Sequence, residues 1–261
     1  MTVRHALAAL LLLTCTLWHA NEALAATSPA TAPATPAISA TPTVAAAPPA
    51  TAGVPDTIEQ RVAACIACHG REGATTNAGY FPRLAGKPAG YLFNQLVSFR
   101  DGRRFNADMT YMVQHLSDAY LHEMADYFAG LTLPYPPISA QSDATPEVLQ
   151  RGKTLALEGD AERRLPACVQ CHGAALTGVL PATPGLLGLP RLYLASQLGA
   201  WLTNERHAAV PDCMAEVGRR MWTSDVNAVA SWLATQPMPA NTKPAASLPA
   251  PMPINCGGMT K

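Results

Sequence analysis

The chain has 261 residues, room for one or two domains, and is 49% hydrophobic but only 6% aromatic. Its 18 basic and 18 acidic side chains balance, which excludes a net charge that would draw it to nucleic acid or an anionic membrane. The 24 prolines and 18 glycines call for many turns and linkers, and strand signals are weak throughout.

The N-terminal end reads as an export signal. Arg4 and His5 precede an apolar run from Ala6 to Trp18, and Ala23, Leu24 and Ala25 form a small-residue cleavage site. The run is shorter than the about 20 residues that span a bilayer, so residues 1–25 are expected to be removed, with retention as an anchor the alternative. Export places the mature chain in the periplasm. Membrane association then comes only through a partner or an uncleaved signal.

Residues 26–55 are almost entirely Ala, Pro, Thr and Ser. They bury too little apolar surface to offset the entropy of ordering, so a disordered spacer is expected. Two compact segments follow, 56–133 and 147–237, separated by a Pro-rich linker, 134–146, and ending in a Pro-rich tail, 238–261.

The two segments repeat one another. Cys65-Ile66-Ala67-Cys68-His69-Gly70 returns as Cys168-Val169-Gln170-Cys171-His172-Gly173. Phe81-Pro82-Arg83-Leu84 returns, altered, as Thr183-Pro184-Gly185-Leu186, and Tyr91 with Gln95 as Tyr193 with Gln197. Leu121, Met124, Ala125 and Phe128, and again Val226, Val229, Ala230 and Leu233, carry the spacing of one apolar helix face. Ser117 and Thr223 are the expected N-caps of these helices. The expected fold is all-α, two tandem small helical domains.

The C-x-x-C-H motif is the attachment signature of c-type haem. On a helix, cysteines three apart face one porphyrin, and the histidine after them sits under the iron. A zinc or redox-dithiol site is the competing reading, but zinc needs four ligands closing on one metal, and each motif here sits in its own repeat. Two covalent haem c groups are therefore expected, with His69 and His172 as iron ligands. For the opposite ligand the first repeat offers Met109, Met112, His115 and His122, and the second Met214, Met221 and His207. The repeat selects Met109 and Met214, which stand seven residues before the equivalent Leu116 and Met221, in what reads as a polar loop. His/Met ligation leaves no open iron position, favouring electron carriage over enzymatic chemistry.

Together these motifs resemble the dihaem class I cytochromes c of the cytochrome c4 family. The resemblance implies two cytochrome c folds with haem edges close together. It also implies that the carbonyls of Pro82 and Pro184 accept hydrogen bonds from the rings of His69 and His172. As partners it implies a dehydrogenase or bc1-type complex as donor and a terminal oxidase as acceptor. A cytochrome subunit of a membrane dehydrogenase or oxidase is the alternative; a dihaem peroxidase or thiosulfate-oxidising enzyme is a further one. The second repeat departs from the pattern. Thr183 and Gly185 replace Phe81 and Arg83, so any hold of Arg83 on a haem carboxylate has no counterpart, and Pro211, Asp212 and Cys213 form an insertion before Met214. Arg100, Arg103 and Arg104 make a basic cluster, read as a solvated helix end or a docking patch.

Of seven cysteines, Cys15 leaves with the signal and four bind haem. Cys213 and Cys256 remain, and in an oxidising compartment such a pair is expected to form a disulfide, with two free thiols the alternative.

Overall fold

Helix α1 (Ile58–His69) begins where the Thr57 side chain accepts from the Gln60 N–H, and it stops at Gly70, whose φ of 58° suits glycine. In this computed structural model, residues 56–70, 81–135 and 142–259 are described. The export segment and the spacer lie outside them. Helix α2 (Ala89–Arg100), the short α3 (Ala107–Val113) and α4 (Asp118–Gly130) complete the first half. Its core joins Val62 of α1 to Leu92, Phe93 and Phe99 of α2 and to the predicted stripe Leu121, Met124, Ala125 and Phe128.

The second half repeats this plan with a longer first connection. Helix α5 (Pro146–Leu157) is capped by the Thr145 hydroxyl and ends well before the cysteine motif. Residues 158–167 turn back on themselves instead, through paired backbone bonds between Asp160 and Leu165. The motif then occupies a single turn, α6 (Val169–His172). Two short strands follow, β1 (Gly178–Val179) and β2 (Thr183–Pro184), paired antiparallel. They are strands the sequence did not announce. Helices α7 (Arg191–Leu202), α8 (Cys213–Arg220) and α9 (Thr223–Thr235) close a second core around Leu155, Leu194, Val226, Val229 and Leu233.

Helices α5 and α9 approach closely at Gly152. A Cβ there would lie 2.1 Å from the Ala228 carbonyl oxygen, so only glycine lets these backbones meet.

Two caps divide the expectations. Ser117 does cap α4, accepting from the Tyr120 N–H. Thr223 does not cap α9; it is the first helical residue. The N-cap is Trp222, whose N–H donates to the Asp225 carboxylate at 3.0 Å. An acidic side chain three residues into the helix thus takes over a task assigned to the hydroxyl.

Asp225 is 2% exposed and sits between Arg163 (2.6 Å) and Arg151 (3.1 Å), which both also reach Asp160. This four-charge network ties the 158–167 turn to α5 and α9.

The tail does not hang free. Beyond α9 the chain returns along the second half, exchanging backbone bonds between Ala245 and both Gly178 and Leu180. Cys213 and Cys256 are joined in a disulfide (S–S 1.98 Å). The described residues lie within one compact unit, Ala52–Lys261. Among them no helix is long and apolar enough to cross a membrane.

Candidate functional site: two histidine motifs and the cavity between the halves

Both motif histidines are buried and held the same way. The His69 ring Nδ1 lies 2.9 Å from the Pro82 carbonyl oxygen, and His172 Nδ1 lies 2.8 Å from that of Pro184. With Nδ1–H donating to the carbonyl, Nε2 keeps its lone pair for a metal. Burial pulls both histidine pKa values down, with the proline carbonyls opposing. The neutral ring is thereby favoured, which is the form that ligates.

Around His172 the chain forms a large cavity whose lining is predominantly apolar. Cys168, Cys171, His172 and Met214 share it, together with Met221. Burial pushes the Cys168 thiol up to about 12. In the first half, Cys65 and Met109 both pack against the core, whereas Met112 is 42% exposed.

The methionines are not on loops. Met109 lies in α3, whose N-cap Asn106 accepts from the Met109 N–H itself. Met214 lies in α8, whose N-cap Asp212 accepts from the Ala215 N–H, one residue further on. The seven-residue register therefore slips by one against the caps. The residues inserted before Met214 supply a cap of their own.

The cavity extends to where the halves meet, and there its chemistry changes. Lys87, Arg103 and Arg206 line it, and no aspartate or glutamate does among the described lining residues. Arg103 Nε and Trp201 Nε1 are buried donors without a hydrogen-bond partner. Orphaned N–H groups of this kind cost free energy unless an acceptor arrives. An apolar slot bounded by thiols and an imidazole, with cations and unused donors at one end, matches a flat apolar macrocycle that carries carboxylates. The residues present fit haem c. Among the described residues no group of three His, Cys, Asp or Glu side chains is placed to hold a bare metal ion.

The arginine cluster read from the sequence separates into two roles. Arg100 and Arg103 pair with Asp101, and Arg100 also with Asp118. Arg104 is 9% exposed and bonds Gln95, Gln197 and the Tyr193 hydroxyl. It is an interface residue, not a solvated helix end. Its counterpart Arg206 drew no notice in the sequence, since a lone arginine carries no periodic signal. Arg83 is spent on protein carbonyls. It donates to Ala85, Leu133 and Pro134 and stacks over Tyr135, pinning the start of the linker.

Two helical halves, each setting a C-x-x-C-H histidine against a proline carbonyl, define a class I c-type cytochrome with two covalent haem c groups. No family model matches the chain. A thiosulfate dehydrogenase electron acceptor of Thiomonas intermedia is 40% identical over 176 residues, 67% of this chain and 80% of the relative. Cytochrome c4 of Pseudomonas aeruginosa is 30% identical over 177 residues, 67% of this chain and 85% of the relative. Among solved structures, reduced cytochrome c4 of Pseudomonas stutzeri superposes with a TM-score of 0.58 at 28% identity, covering 68% of this chain and 95% of that one. A thiosulfate dehydrogenase (TsdBA) of Marichromatium purpuratum gives 0.59 at 35% identity, covering 67% of this chain and 36% of that one. The chain belongs to the dihaem cytochrome c4 family. It is an electron-transfer protein, not an enzyme.

Proposed function

We propose that this cytochrome takes electrons from a thiosulfate-oxidising dehydrogenase in the periplasm and passes them on to a terminal oxidase. The observation that carries the donor is the 40% identity to a relative named as the electron acceptor of a thiosulfate dehydrogenase. Haem c supplies a one-electron couple at each site when bound.

The chain's own residues do the rest. Cys65 and Cys68, and Cys168 and Cys171, tether the two macrocycles through thioethers. His69 and His172, their rings aligned by Pro82 and Pro184, would hold the irons through Nε2. Met109 and Met214 would supply the thioether sulfurs, which would leave neither site a position for a small substrate. Trp201 Nε1 and Arg103 Nε, buried without partners at the interface end, would donate to the carboxylates of a bound haem. The apolar lining excludes water and so limits solvent reorganisation when charge changes. The proposed domain bounds are those of the repeat, 56–133 and 147–237, with 1–25 an export signal.

A second reading has the protein working docked on its dehydrogenase. It draws on the match to TsdBA, where the similar region is 36% of a longer chain.

The test is to mix oxidised cytochrome with a purified thiosulfate dehydrogenase and thiosulfate and follow the reduced α-band. Rapid appearance dependent on the enzyme is expected. Silence there, with prompt reduction by a bc1-type donor, would remove the thiosulfate assignment. Co-elution of the two proteins would favour the docked form.

A further inference from the structure

We infer that the C-terminal tail, residues 238–259, is a fixed cover over the second haem cavity, barring exogenous ligands and water from that site. The inference rests on the reading that Cys168, Cys171 and His172 hold a haem there, and four observations carry it.

The tail lines the same cavity as the motif. Met252, Ile254, Cys256 and Met259 face it alongside Cys168, Cys171, His172 and Met214. It also stands where the second repeat lost an aromatic. In the first half the Phe81 ring meets His69 edge-on, centroids 6.0 Å apart. Thr183 holds the equivalent position in the second, and its hydroxyl donates to the Met259 sulfur at 3.0 Å. A thioether from the tail thus sits against the residue that replaces phenylalanine.

The tail is fastened at several independent points. The Cys213–Cys256 disulfide holds it to the residue before Met214. The Gly257 N–H donates to the Pro211 carbonyl at 2.9 Å, and a Cβ on Gly257 would lie 2.0 Å from the Val210 carbonyl oxygen. Asn94 of α2, in the other half, donates from its side chain to the Gly258 carbonyl at 2.8 Å. Upstream, Thr177 donates to the Lys243 carbonyl and Ala245 exchanges two bonds with the β1 region. A segment held by one disulfide alone would be a tether. One that bonds both halves and inserts apolar side chains into the cavity is a wall.

Finally, the internal repeat ends near residue 237, so the tail is an addition to the duplicated unit and covers only one of its two copies. The two sites should therefore differ in access.

The experiment removes the cover after folding. A protease site is inserted at the exposed Ala240–Asn241 pair in a Cys213→Ser/Cys256→Ser background, and the purified holoprotein is cut and stripped of its tail. Imidazole is then titrated into the ferric protein, with visible spectra and a redox titration. Expected is at least a tenfold faster imidazole association at one haem only, with loss of its methionine charge-transfer band and a lowered potential. A Gly257→Val variant, which keeps the chain intact and the disulfide available, should show a smaller change in the same direction. Unchanged access at both haems after tail release would overturn the cover, as would equal opening of both. A haemochrome count of one in the uncut protein would instead show that the underlying reading has failed.

Discussion

Arg104 and Arg206, one from each half, share the same two acceptors. Arg104 reaches the side-chain oxygens of Gln95 (3.1 Å) and Gln197 (2.7 Å), and Arg206 reaches Gln197 (2.6 Å) and Gln95 (2.7 Å). Gln95 and Gln197 are themselves equivalent in the repeat, so the interface is built on an approximate twofold axis. Both arginines are buried, at 9% and 5% exposure, and the acceptors they share are neutral amides. Burial, then the neighbouring Arg104, brings Arg206 down to about 10. Guanidinium pairs of this kind are held apart from water only at a cost that an anion relieves.

Replacing Arg206 should therefore be felt at the haems. A cation nearby favours the reduced iron, so Arg206→Gln should lower the potential of the second haem. The scale is about 70 mV, the effect of a unit charge at about 10 Å with an effective dielectric near 20. Spectroelectrochemistry on the variant reads it. An unshifted potential would mean that the arginine pair serves only to join the halves.

Met109→Ala should abolish the methionine–iron charge-transfer band of one haem and lower its potential, while Met112→Ala should leave both untouched. Met109 packs against the first core and Met112 faces solvent. The opposite result would show that the one-residue slip between the Asn106 and Asp212 caps marks a mistaken alignment of the two repeats.

The sequence carried the parts of this molecule that repeat. Both cysteine motifs, the apolar faces of α4 and α9 and the proline whose carbonyl faces each histidine recur at matching positions, and duplication made them visible. What it hid is what the two halves do differently or do together. Arg104 read as one of three basic residues because nothing local reveals that Gln197 lies across from it. The 158–167 turn has no counterpart among the described residues of the first half, and its anchoring charges, Arg151, Arg163 and Asp160, are spread through unremarkable polar sequence. The Pro-rich tail carries no periodic apolar pattern that would announce its course. It takes its shape from carbonyls and donors on the surface it covers.

Gly152→Ala should cost stability although alanine is the better helix former. The gain of about 1 kcal/mol in helix propensity is outweighed by a Cβ 2.1 Å from the Ala228 oxygen and 2.8 Å from the Trp232 Cβ. Helices α5 and α9 must then separate, at a net loss of roughly 1–3 kcal/mol by analogy with overpacked cores. Thermal unfolding of the holoprotein checks this, and a variant as stable as the parent would show that the two helices can slide apart freely.

The last prediction concerns acid. Burial pushes the Asp225 carboxyl upward, but the Arg163 bond, the Trp222 N–H and the Arg151 bond together outweigh it, so the group stays below its ordinary value. Asp160 is held lower still by Arg163 and Arg151. A carboxylate depressed in the folded state contributes stability that is complete above its unfolded pKa, near 3.9. That contribution is lost as pH falls through the folded value. The second half should thus resist mild acid and weaken only below about pH 4, as both groups take up protons and leave Arg151 and Arg163 facing each other. Asp225→Asn removes the buried charge at every pH. With Asp160 left as the one carboxylate that Arg151 and Arg163 share, the loss should be about 1–3 kcal/mol at pH 7. It should shrink as pH falls below about 4, where the parent begins to lose the same interaction. Denaturant titrations of parent and variant at pH 7 and pH 3, followed by the absorbance of the second haem, give both numbers. A pH-independent difference would mean that Asp225 acts through its cap on Trp222 rather than through its charge.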